Sequence, residues 1–215
     1  MGSPRIALLN AAHDAAPTSR NFRRELDATV REYNCPNGET PDGFAFDGFV
    51  VTGSRASVYW DADWIGRLKT WVGEAVQAGL PGLGVCFGHQ LLADVLGGRV
   101  EGMGEYEIGY RTVFTTHSDR VVEAPPGATV IAENEYGIHG FRTGDVFTVQ
   151  FHPEYDVSTA RSVTRGKADE LPAERIERVL ADVHAENYRE ACSAKRLFDN
   201  FLEHVEDSLQ PAPTR

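Results

Sequence analysis

The chain has 215 residues, of which 41% are hydrophobic, and a formal net charge of −11. This length favours a single domain over residues 1–215, and the negative charge argues against nucleic acid or an anionic membrane as the partner, because phosphate binding needs clustered Lys and Arg. Since no apolar run approaches the ~20 residues of a membrane span and the N-terminal apolar stretch is too short for a secretory signal, we expect a cytoplasmic protein.

The first part of the chain predicts a strand, a helix and a loop. Residues 5–10 (RIALLN) form a short apolar run typical of a buried strand. Thr18 or Ser19 can cap a helix that we expect to extend to residue 33, through a segment that carries Arg and Glu. Residues 35–46 contain two prolines and two glycines and therefore predict a loop.

The next elements alternate in the same way. Residues 49–52 and 81–85 are apolar runs that predict two further buried strands. Asp61 can cap a helix between them, and residues 90–96 predict a helix that ends at the Gly97-Gly98 pair. The first of these helices has an apolar face at helical spacing, formed by Trp64, Leu68, Trp71, Val72 and Val76.

The second half of the chain changes character. Short β-like runs separated by Gly, Pro and Asn turns, such as 110–114, 129–132 and 146–151, predict antiparallel strands within residues 99–151. From residue 157 onward the pattern is helical, with one apolar face over residues 172–205 that includes Ile176, Val179, Leu180 and Val183. Residues 210–215 are expected to be frayed.

Strands that alternate with helices predict an α/β fold with an open, doubly wound, mostly parallel sheet. The runs in residues 99–151 add antiparallel strands, and the last third adds C-terminal helices. In such folds the functional crevice lies at the carboxyl ends of the strands. That rule selects three segments for the crevice: residues 10–14, 53–57 and 86–90.

Cys86 lies between a predicted buried strand and a predicted helix, with Gly84 and Gly88 two positions away on either side. Small neighbours allow a sharp strand-to-helix turn to close and a substrate to approach. A thiol at a helix N-terminus is stabilised as thiolate by the helix dipole and the free N–H groups. The N–H of Phe87 is the first candidate to bind the oxyanion of a tetrahedral intermediate.

His152 and Glu154 flank Pro153 and supply an imidazole and a carboxylate. If this segment is a strand, residues two apart point to the same side, so the two side chains are expected to meet. The carboxylate would fix the tautomer of the imidazole and stabilise its protonated form. His152 would then take the proton of the Cys86 thiol and deliver a proton to the leaving nitrogen.

Two motifs resemble those of a known family. GVCFGHQ, around Cys86, is similar to the G-x-C-x-G-x-Q segment of class I glutamine amidotransferases, and QFHPE, around His152, is similar to their second signature. The resemblance implies a flavodoxin-like three-layer fold and a catalytic set of Cys86, His152 and Glu154. It also implies that Gln90 helps to hold the substrate and that N–H groups near Gly53 and Ser54 complete the oxyanion hole.

Two segments match the family less closely. The sequence TGSRAS at residues 52–57 replaces the usual Ser-Gly-Gly-Pro-Gly-Ser, although a Ser at position 54 still supplies its backbone N–H. Residues 116–119 (THSD) resemble the Ser-His-Gly-Asp of the GMP-synthetase branch, which lines the glutamine pocket. A simple turn at these positions is the alternative interpretation.

The remaining cysteines and histidines predict no metal and no cofactor. Cys35, Cys86 and Cys192 are widely spaced and include no C-x-x-C pair, which argues against disulfides and zinc. The spacing of the histidines later in the chain is not that of metal ligands, His13 is expected in a solvated loop, and Cys35 and Cys192 are expected to be structural. Lysine occurs at only three positions, which fits either a salt-loving source or an ordinary acidic enzyme.

Three functions fit these features. The first is a glutaminase that hydrolyses the γ-amide of glutamine through a glutamyl thioester; because no P-loop motif is present, the ammonia would go to a separate synthetase subunit. The second is a γ-glutamyl peptidase that uses the same residues on γ-glutamyl peptides. The third is a non-catalytic binding protein on the same fold, which the intact Cys86, His152 and Glu154 disfavour.

Overall fold

A computed structural model describes residues 2–210, and its nine strands form one sheet. The strands are β1 (Arg5–Asn10), β2 (Thr29–Asn34), β3 (Gly48–Val51), β4 (Gly82–Val85), β5 (Arg99–Tyr110), β6 (Phe114–Glu123), β7 (Thr129–Asn134), β8 (Gly137–Thr143) and β9 (Val146–Val149). Residues 211–215, most of the segment expected to be frayed, lie outside the described residues.

Helices connect the strands and fill the last third of the chain, as predicted. They are α1 (Ala15–Glu25), α2 (Asp63–Gln77), α3 (Phe87–Val95), α4 (Val157–Arg165), α5 (Ala173–Asp182), α6 (Ala185–Ala191) and α7 (Arg196–Ser208). Two short 3₁₀ turns, Cys35–Asn37 and Cys192–Lys195, complete the set. Within residues 2–210, no helix combines the length and the apolar character that crossing a membrane requires.

The sheet has a parallel half and an antiparallel half. Its strand order is β2-β1-β3-β4-β9-β8-β6-β5, with β7 paired to β8. The strands from β2 to β9 in this order are parallel, whereas β8, β6, β5 and β7 pair antiparallel. This mixed α/β sheet confirms the predicted fold class, including its antiparallel additions.

Alternation along β1 shows how the sheet is covered on both faces. Ala7 and Leu9 point to the face packed by α2 and α3, whereas Ile6 and Leu8 point to the face packed by α1 and α7. All four side chains are fully buried. Burying a large aliphatic side chain of this kind contributes about 1.5–3 kcal/mol. Because both faces are buried, the central strands are continuous apolar runs, which is why the sequence revealed them.

The prediction of one helix up to residue 33 is wrong. Helix α1 begins at Ala15, after Asp14, and ends at Glu25, where the N–H of Leu26 donates to the carbonyl of Phe22. The chain then pairs with β1 as strand β2. Because β2 is an edge strand whose side chains are mostly half-exposed, its Arg and Glu have the composition of a solvated helix.

Two helix starts also differ from the prediction. The N-terminal cap of α2 is Ala62, with no side-chain cap, so Asp61 does not cap this helix. Helix α3 begins at Phe87, three residues before the predicted start, because the turn at Cys86 leads directly into it. The apolar face of α2 lies in the core as predicted, with Leu68, Trp71 and Val72 buried.

The antiparallel half also has different boundaries. The predicted strand at residues 110–114 is the turn between β5 and β6, with Thr112 at a φ of 139°. Strand β5 was missed because its twelve residues include three glycines and four charged residues among Arg99–Tyr110. Strand β9 ends at Val149, so the predicted strand at residues 146–151 is two residues too long.

Candidate functional site

A cavity of about 690 Å³ opens at the carboxyl ends of the parallel strands. All three segments that the sequence selected for the crevice contribute to its wall, after β1, β3 and β4 respectively. The residues concerned are Ala12, His13, Asp14, Gly53, Ser54, Arg55, Ala56, Cys86 and Gln90. The location follows the general rule for open α/β sheets.

Cys86 occupies the sharp turn between β4 and α3. Its backbone has φ 53° and ψ −103°, a conformation that costs a non-glycine residue about 1–3 kcal/mol. The turn is held in place because the N–H of Cys86 donates to the carbonyl of Val149 at 2.8 Å and its carbonyl accepts from Gln90 at 3.1 Å. The thiol is therefore fixed at the N-terminus of α3, where the helix dipole favours a negative charge.

The flanking glycines are required by close backbone approaches. A Cβ on Gly88 would lie 2.2 Å from the carbonyl oxygen of Val51 in β3, and a Cβ on Gly84 would lie 2.5 Å from the carbonyl oxygen of Gly88. These glycines let α3 pack directly on the backbone of the sheet. The sequence indicated small residues here for closure of the turn, and the structure adds helix-to-sheet contact as the reason.

His152 and Glu154 meet in a buried pair. Nδ1 of His152 lies 2.8 Å from Oε1 of Glu154, and both side chains are at most 4% exposed. The predicted reason is wrong, because β9 has already ended and the two residues lie in a turn in which the N–H of Tyr155 donates to the carbonyl of His152. The N–H of His152 donates to the carbonyl of Phe114 at 2.9 Å, which fixes the start of this turn.

The imidazole also adjoins the thiol. A Cβ on Gly53 would lie 2.9 Å from Cε1 of His152 and 3.5 Å from Cβ of Cys86, so both side chains border the same glycine. Burial lowers the pKa of His152, but the charges of Glu154 and Cys86 and the hydrogen bond to Glu154 raise it well above its usual range. We refer to Cys86, His152 and Glu154 as the Cys86 group.

Two residues that the sequence analysis did not select hold this group in position. The ring of Tyr155 stacks on the ring of His152 with centroids 4.1 Å apart and planes 16° apart. Arg24 of α1 donates to the carbonyl of Glu154 and to the carboxylate of Asp156. Tyr155 directly follows QFHPE and could have been considered, whereas Arg24 is 130 residues from Glu154 and no local pattern connects them.

The predicted oxyanion donors have free backbone N–H groups. Gly53 and Ser54 line the cavity beside Cys86, and Phe87 is the first residue of α3. Among residues 2–210, no acceptor is hydrogen-bonded to the backbone N–H of Gly53, Ser54 or Phe87. The N–H groups of Gly53 and Ser54 are therefore free at the cavity wall, and that of Phe87 is free at the start of α3, as the first N–H groups of a helix generally are.

Gln90 and residues 116–119 form the wall opposite these donors. The side-chain amide of Gln90 donates to the carbonyl of Asp119 at 3.1 Å and to Gln150 at 3.0 Å. Residues 116–119 line the cavity from within strand β6, so the alternative interpretation of a simple turn is wrong. The carbonyl oxygen of Thr116 lies 3.9 Å from Sγ of Cys86.

Asp119 is held rigidly in this wall. Its carboxylate accepts a hydrogen bond from Ser57 at 2.5 Å and another from Tyr59 at 2.7 Å. Ser57 belongs to the segment after β3, so these bonds connect the two sides of the cavity. A carboxylate fixed in this way is preorganised to interact with a cationic group of a ligand.

The other histidines and cysteines near the site have different environments. His89 is fully buried between Thr148 and the carbonyl of Ile138, and burial lowers its pKa to about 3, which makes it a neutral packing residue. His13 is exposed at the cavity edge and stands edge-on to Trp64. Burial and the charge of Glu39 raise the pKa of Cys35 to about 12, so this thiol is inert.

One buried set of potential metal ligands was not expected from the sequence. Glu107 of β5, His117 of β6 and His139 of β8 place one ligand atom each within 4.8 Å of one another. We refer to these residues as the His–Glu cluster. The sequence analysis predicted no metal site because their separations of 10 and 22 residues match no ligand motif; only the pairing of β5, β6 and β8 brings them together.

The Cys86 group has the components of nucleophilic attack on a carbonyl carbon. It combines a thiol on a strained turn, an imidazole that favours the protonated form and a carboxylate that orients the imidazole. The free N–H groups of Gly53 and Ser54 belong to residues that line the same cavity as Cys86. This arrangement supports acyl transfer.

Comparisons with known proteins agree with this geometry. A family model described as glutamine amidotransferase class-I matches residues 18–166. Gamma-glutamyl peptidase 3 of Arabidopsis thaliana is 30% identical over 138 residues, which cover 52% of this chain and 55% of that protein. A GMP synthase (glutamine-hydrolysing) of Pyrobaculum aerophilum is 44% identical over 92 residues, which cover 34% of this chain and 18% of that protein.

A similar solved structure shows the same fold. A glutamine amidotransferase of Thermotoga maritima superposes with a TM-score of 0.78 over 94% of this chain and 100% of that chain, at 22% sequence identity. The matched region spans about half the length of the plant peptidase and less than a fifth of the archaeal synthase.

Proposed function

This chain belongs to the class I glutamine amidotransferase family, and we propose that it is an enzyme that hydrolyses the γ-amide of glutamine through a glutamyl thioester on Cys86. The observation that carries the proposal is the convergence of Cys86, His152 and Glu154 on one side of the cavity beside free N–H groups. The single nine-stranded sheet supports the further proposal of one domain over residues 1–215.

The reaction begins when His152 holds the proton of the Cys86 thiol and the thiolate attacks the γ-carbonyl carbon. The carbonyl oxygen becomes an anion, which the N–H groups of Gly53, Ser54 and Phe87 bind. When the carbon–nitrogen bond breaks, His152 donates its proton to the nitrogen and ammonia leaves. Water then attacks the thioester, His152 accepts a proton from it, and glutamate leaves as the thiol is restored.

The charges of the cavity suit a γ-glutamyl group, which carries an ammonium and a carboxylate on its α-carbon. Asp14 and Asp119 supply negative charge to the wall, and Arg20, Arg55 and Lys167 supply positive charge. Gln90, through its bond to the carbonyl of Asp119, keeps the acidic side of this wall in position. A substrate with both charges can be oriented by both sides at once.

A synthetase would use the ammonia. The relatives described as GMP synthases are glutamine-hydrolysing, and this likeness supports a synthetase subunit as the proposed partner that would receive the ammonia.

A γ-glutamyl peptidase is the second candidate, and its chemistry differs only in the leaving group. The similarity to gamma-glutamyl peptidase 3 over 138 residues supports it, as does the departure of residues 52–57 from the usual family segment. In this case His152 would protonate the amine of an amino acid or peptide instead of ammonia.

A substrate comparison separates the two candidates. Purified protein is given glutamine or γ-glutamylcysteine, and release of ammonia or of cysteine is followed. Release of ammonia from glutamine supports the glutaminase, whereas turnover of the peptide alone would reject it in favour of the peptidase.

A cysteine variant tests the mechanism that both candidates share. Cys86→Ser is expected to lower turnover of the active substrate by at least about 10³-fold, because a hydroxyl lacks thiolate character. Cys192→Ser, which changes a partly exposed thiol outside the cavity wall, is the matched control and is expected to keep wild-type turnover. Unchanged turnover in Cys86→Ser would contradict the mechanism.

A further inference from the structure

The His–Glu cluster lies inside the antiparallel half of the sheet, apart from the Cys86 group. Oε2 of Glu107 is 2.8 Å from Nε2 of His117 and 3.0 Å from Nε2 of His139. The side chains of Glu107, His117 and His139 are 1%, 2% and 8% exposed. Three potential ligand atoms therefore converge at one point that is largely closed to solvent.

The tautomer of His117 requires a positive charge between its Nε2 and Oε2 of Glu107. Nδ1 of His117 is 2.8 Å from the carbonyl oxygen of Asp119, which can only accept a hydrogen bond, so Nδ1 carries a proton. In neutral His117, Nε2 would then direct a lone pair at a carboxylate oxygen 2.8 Å away, which is repulsive. Either a second proton on the ring or a metal ion between the two atoms removes the repulsion.

His139 favours the metal ion over the second proton. Its Nε2 faces the same oxygen of Glu107 but lacks the alignment of a hydrogen bond, and among residues 2–210 it has no hydrogen-bond partner. Leaving a buried nitrogen without a partner costs about 1–3 kcal/mol. A proton on His117 would not satisfy His139, whereas one metal ion would bind both imidazoles and the carboxylate.

We propose that Glu107, His117 and His139 form a binding site for a divalent transition metal, with Zn²⁺ as its most suitable occupant. Two imidazoles and one carboxylate are ligands that Zn²⁺ prefers, and three protein ligands leave a fourth position for water. Metal–ligand lengths of about 2.0–2.1 Å place tetrahedral ligand atoms roughly 3.4 Å apart, so the side chains move apart by about half an ångström on binding.

The surroundings provide the second shell that such a site needs. The bond from Nδ1 of His117 to a backbone carbonyl is the usual way in which a metal-binding imidazole is oriented. Oε1 of Glu107, the oxygen turned away from the histidines, accepts from Asn134 at 2.9 Å.

A metal ion here would join three strands behind the crevice wall. His117 also lines the cavity, and its neighbour Thr116 contacts the thiol of Cys86. The ion would thus stabilise the register of β5, β6 and β8 and the position of this wall. The site is separate from the Cys86 group, so metal binding can be measured without any turnover.

The test measures binding of Zn²⁺ and Co²⁺ to protein freed of metal with a chelator. We expect one equivalent of Zn²⁺ per chain, a Tm that rises with Zn²⁺ concentration, and the visible absorption bands of four-coordinate Co²⁺. Glu107→Gln and His139→Gln are each expected to weaken binding by more than about tenfold. The Cys86→Ser variant should still bind one equivalent, which excludes the thiol as the ligand.

His204→Gln is the matched control, because His204 forms an exposed histidine–carboxylate pair with Asp145 at 3.0 Å, outside the cluster. It should bind Zn²⁺ like the wild type. Failure of the wild type to bind, or equal binding by the wild type and a folded Glu107→Gln or His139→Gln variant, would overturn the proposal. The cluster would then be a protonated histidine paired with a carboxylate. Circular dichroism of the metal-free variants shows whether each is folded.

Discussion

The Cys86 group and the His–Glu cluster are both buried sets of three titratable residues. The first set has one basic residue and two acidic ones, and the second has one acidic residue and two basic ones. In the Cys86 group, one imidazole lies beside a carboxylate and a thiol, and their negative charges raise the pKa of His152. In the His–Glu cluster, one carboxylate lies beside two imidazoles, and they lower the pKa of Glu107 to about 2. In each set, the neighbouring residues favour the charged form of one residue, His152 or Glu107, although burial opposes that charge.

The two sets differ in the backbone that carries them. Cys86 occupies a strained turn and His152 a loop, both at strand ends that open into the cavity. Glu107, His117 and His139 lie within strands, and their side chains are at most 8% exposed, although His117 also borders the cavity. Strain and access to a cavity suit a residue that reacts, whereas rigid strands suit residues that bind an ion.

After loss of Cys86 itself, the largest expected effect comes from removing the carboxylate of the Cys86 group. Glu154→Gln should lower kcat by about 10²–10⁴-fold, because the amide can impose the wrong tautomer on His152 and cannot stabilise its charge. The measurement is steady-state turnover of the active γ-glutamyl substrate. Asp145→Asn removes the carboxylate of the exposed pair with His204 and is expected to keep wild-type kcat. Equal kcat values for the two variants would contradict the account, because the buried carboxylate of Glu154 would then contribute no more to turnover than the exposed carboxylate of Asp145.

A smaller effect is expected at the glycine that borders both reacting side chains. Gly53→Ala places a Cβ 2.9 Å from Cε1 of His152, whose ring is fixed by Tyr155 and Glu154. The resulting displacement should lower kcat/KM by about 10²-fold. Gly66→Ala, in α2 with no atom within 4 Å of the new Cβ, is the control and should keep wild-type kcat/KM. Wild-type kcat/KM in Gly53→Ala would show that the imidazole position is not critical.

How far the sequence predicts these sites depends on how local their signals are. We predicted strands β1, β3 and β4 because each is a continuous apolar run. We predicted the turn at Cys86 because a glycine lies two positions away on either side of it. Strand β2 was missed because a solvated edge strand resembles a helix in composition, and β5 because its glycines and charges hide its alternation. The pairing of His152 with Glu154 was expected, but a turn produces it instead of a strand.

The contacts between distant strands could not be predicted from spacing alone. Glu107, His117 and His139 come together only through the register of β5 with β6 and of β6 with β8. Arg24 bonds to Glu154 and Asp156 for the same reason, since residues 130 and 132 positions apart meet only in the folded chain. Such contacts can be predicted only when the order and pairing of the strands are already known.

The smallest effect is a shift in the titration of one histidine. The pKa of His152 is expected above its unfolded value of about 6.5, and NMR of the histidine ring in wild type and Cys86→Ser measures it. Removal of the sulfur should lower this pKa, because Cys86 is one of the groups that raise it. Because the folded pKa is raised, the bound proton stabilises the fold fully below about pH 6.5, and this contribution is lost as the pH rises through the folded pKa. An equal His152 pKa in both proteins would mean that the thiol and the imidazole do not interact.

The pairing of Cys86 with His152 is tested most directly by the rate at which iodoacetamide alkylates Cys86 at neutral pH, read by peptide mass spectrometry. We predict a higher rate in the wild type than in His152→Gln, because the protonated imidazole stabilises the reactive form of the sulfur. Cys35, whose pKa is raised to about 12, should stay unmodified in both proteins. Equal rates of Cys86 alkylation in the two proteins would contradict the account.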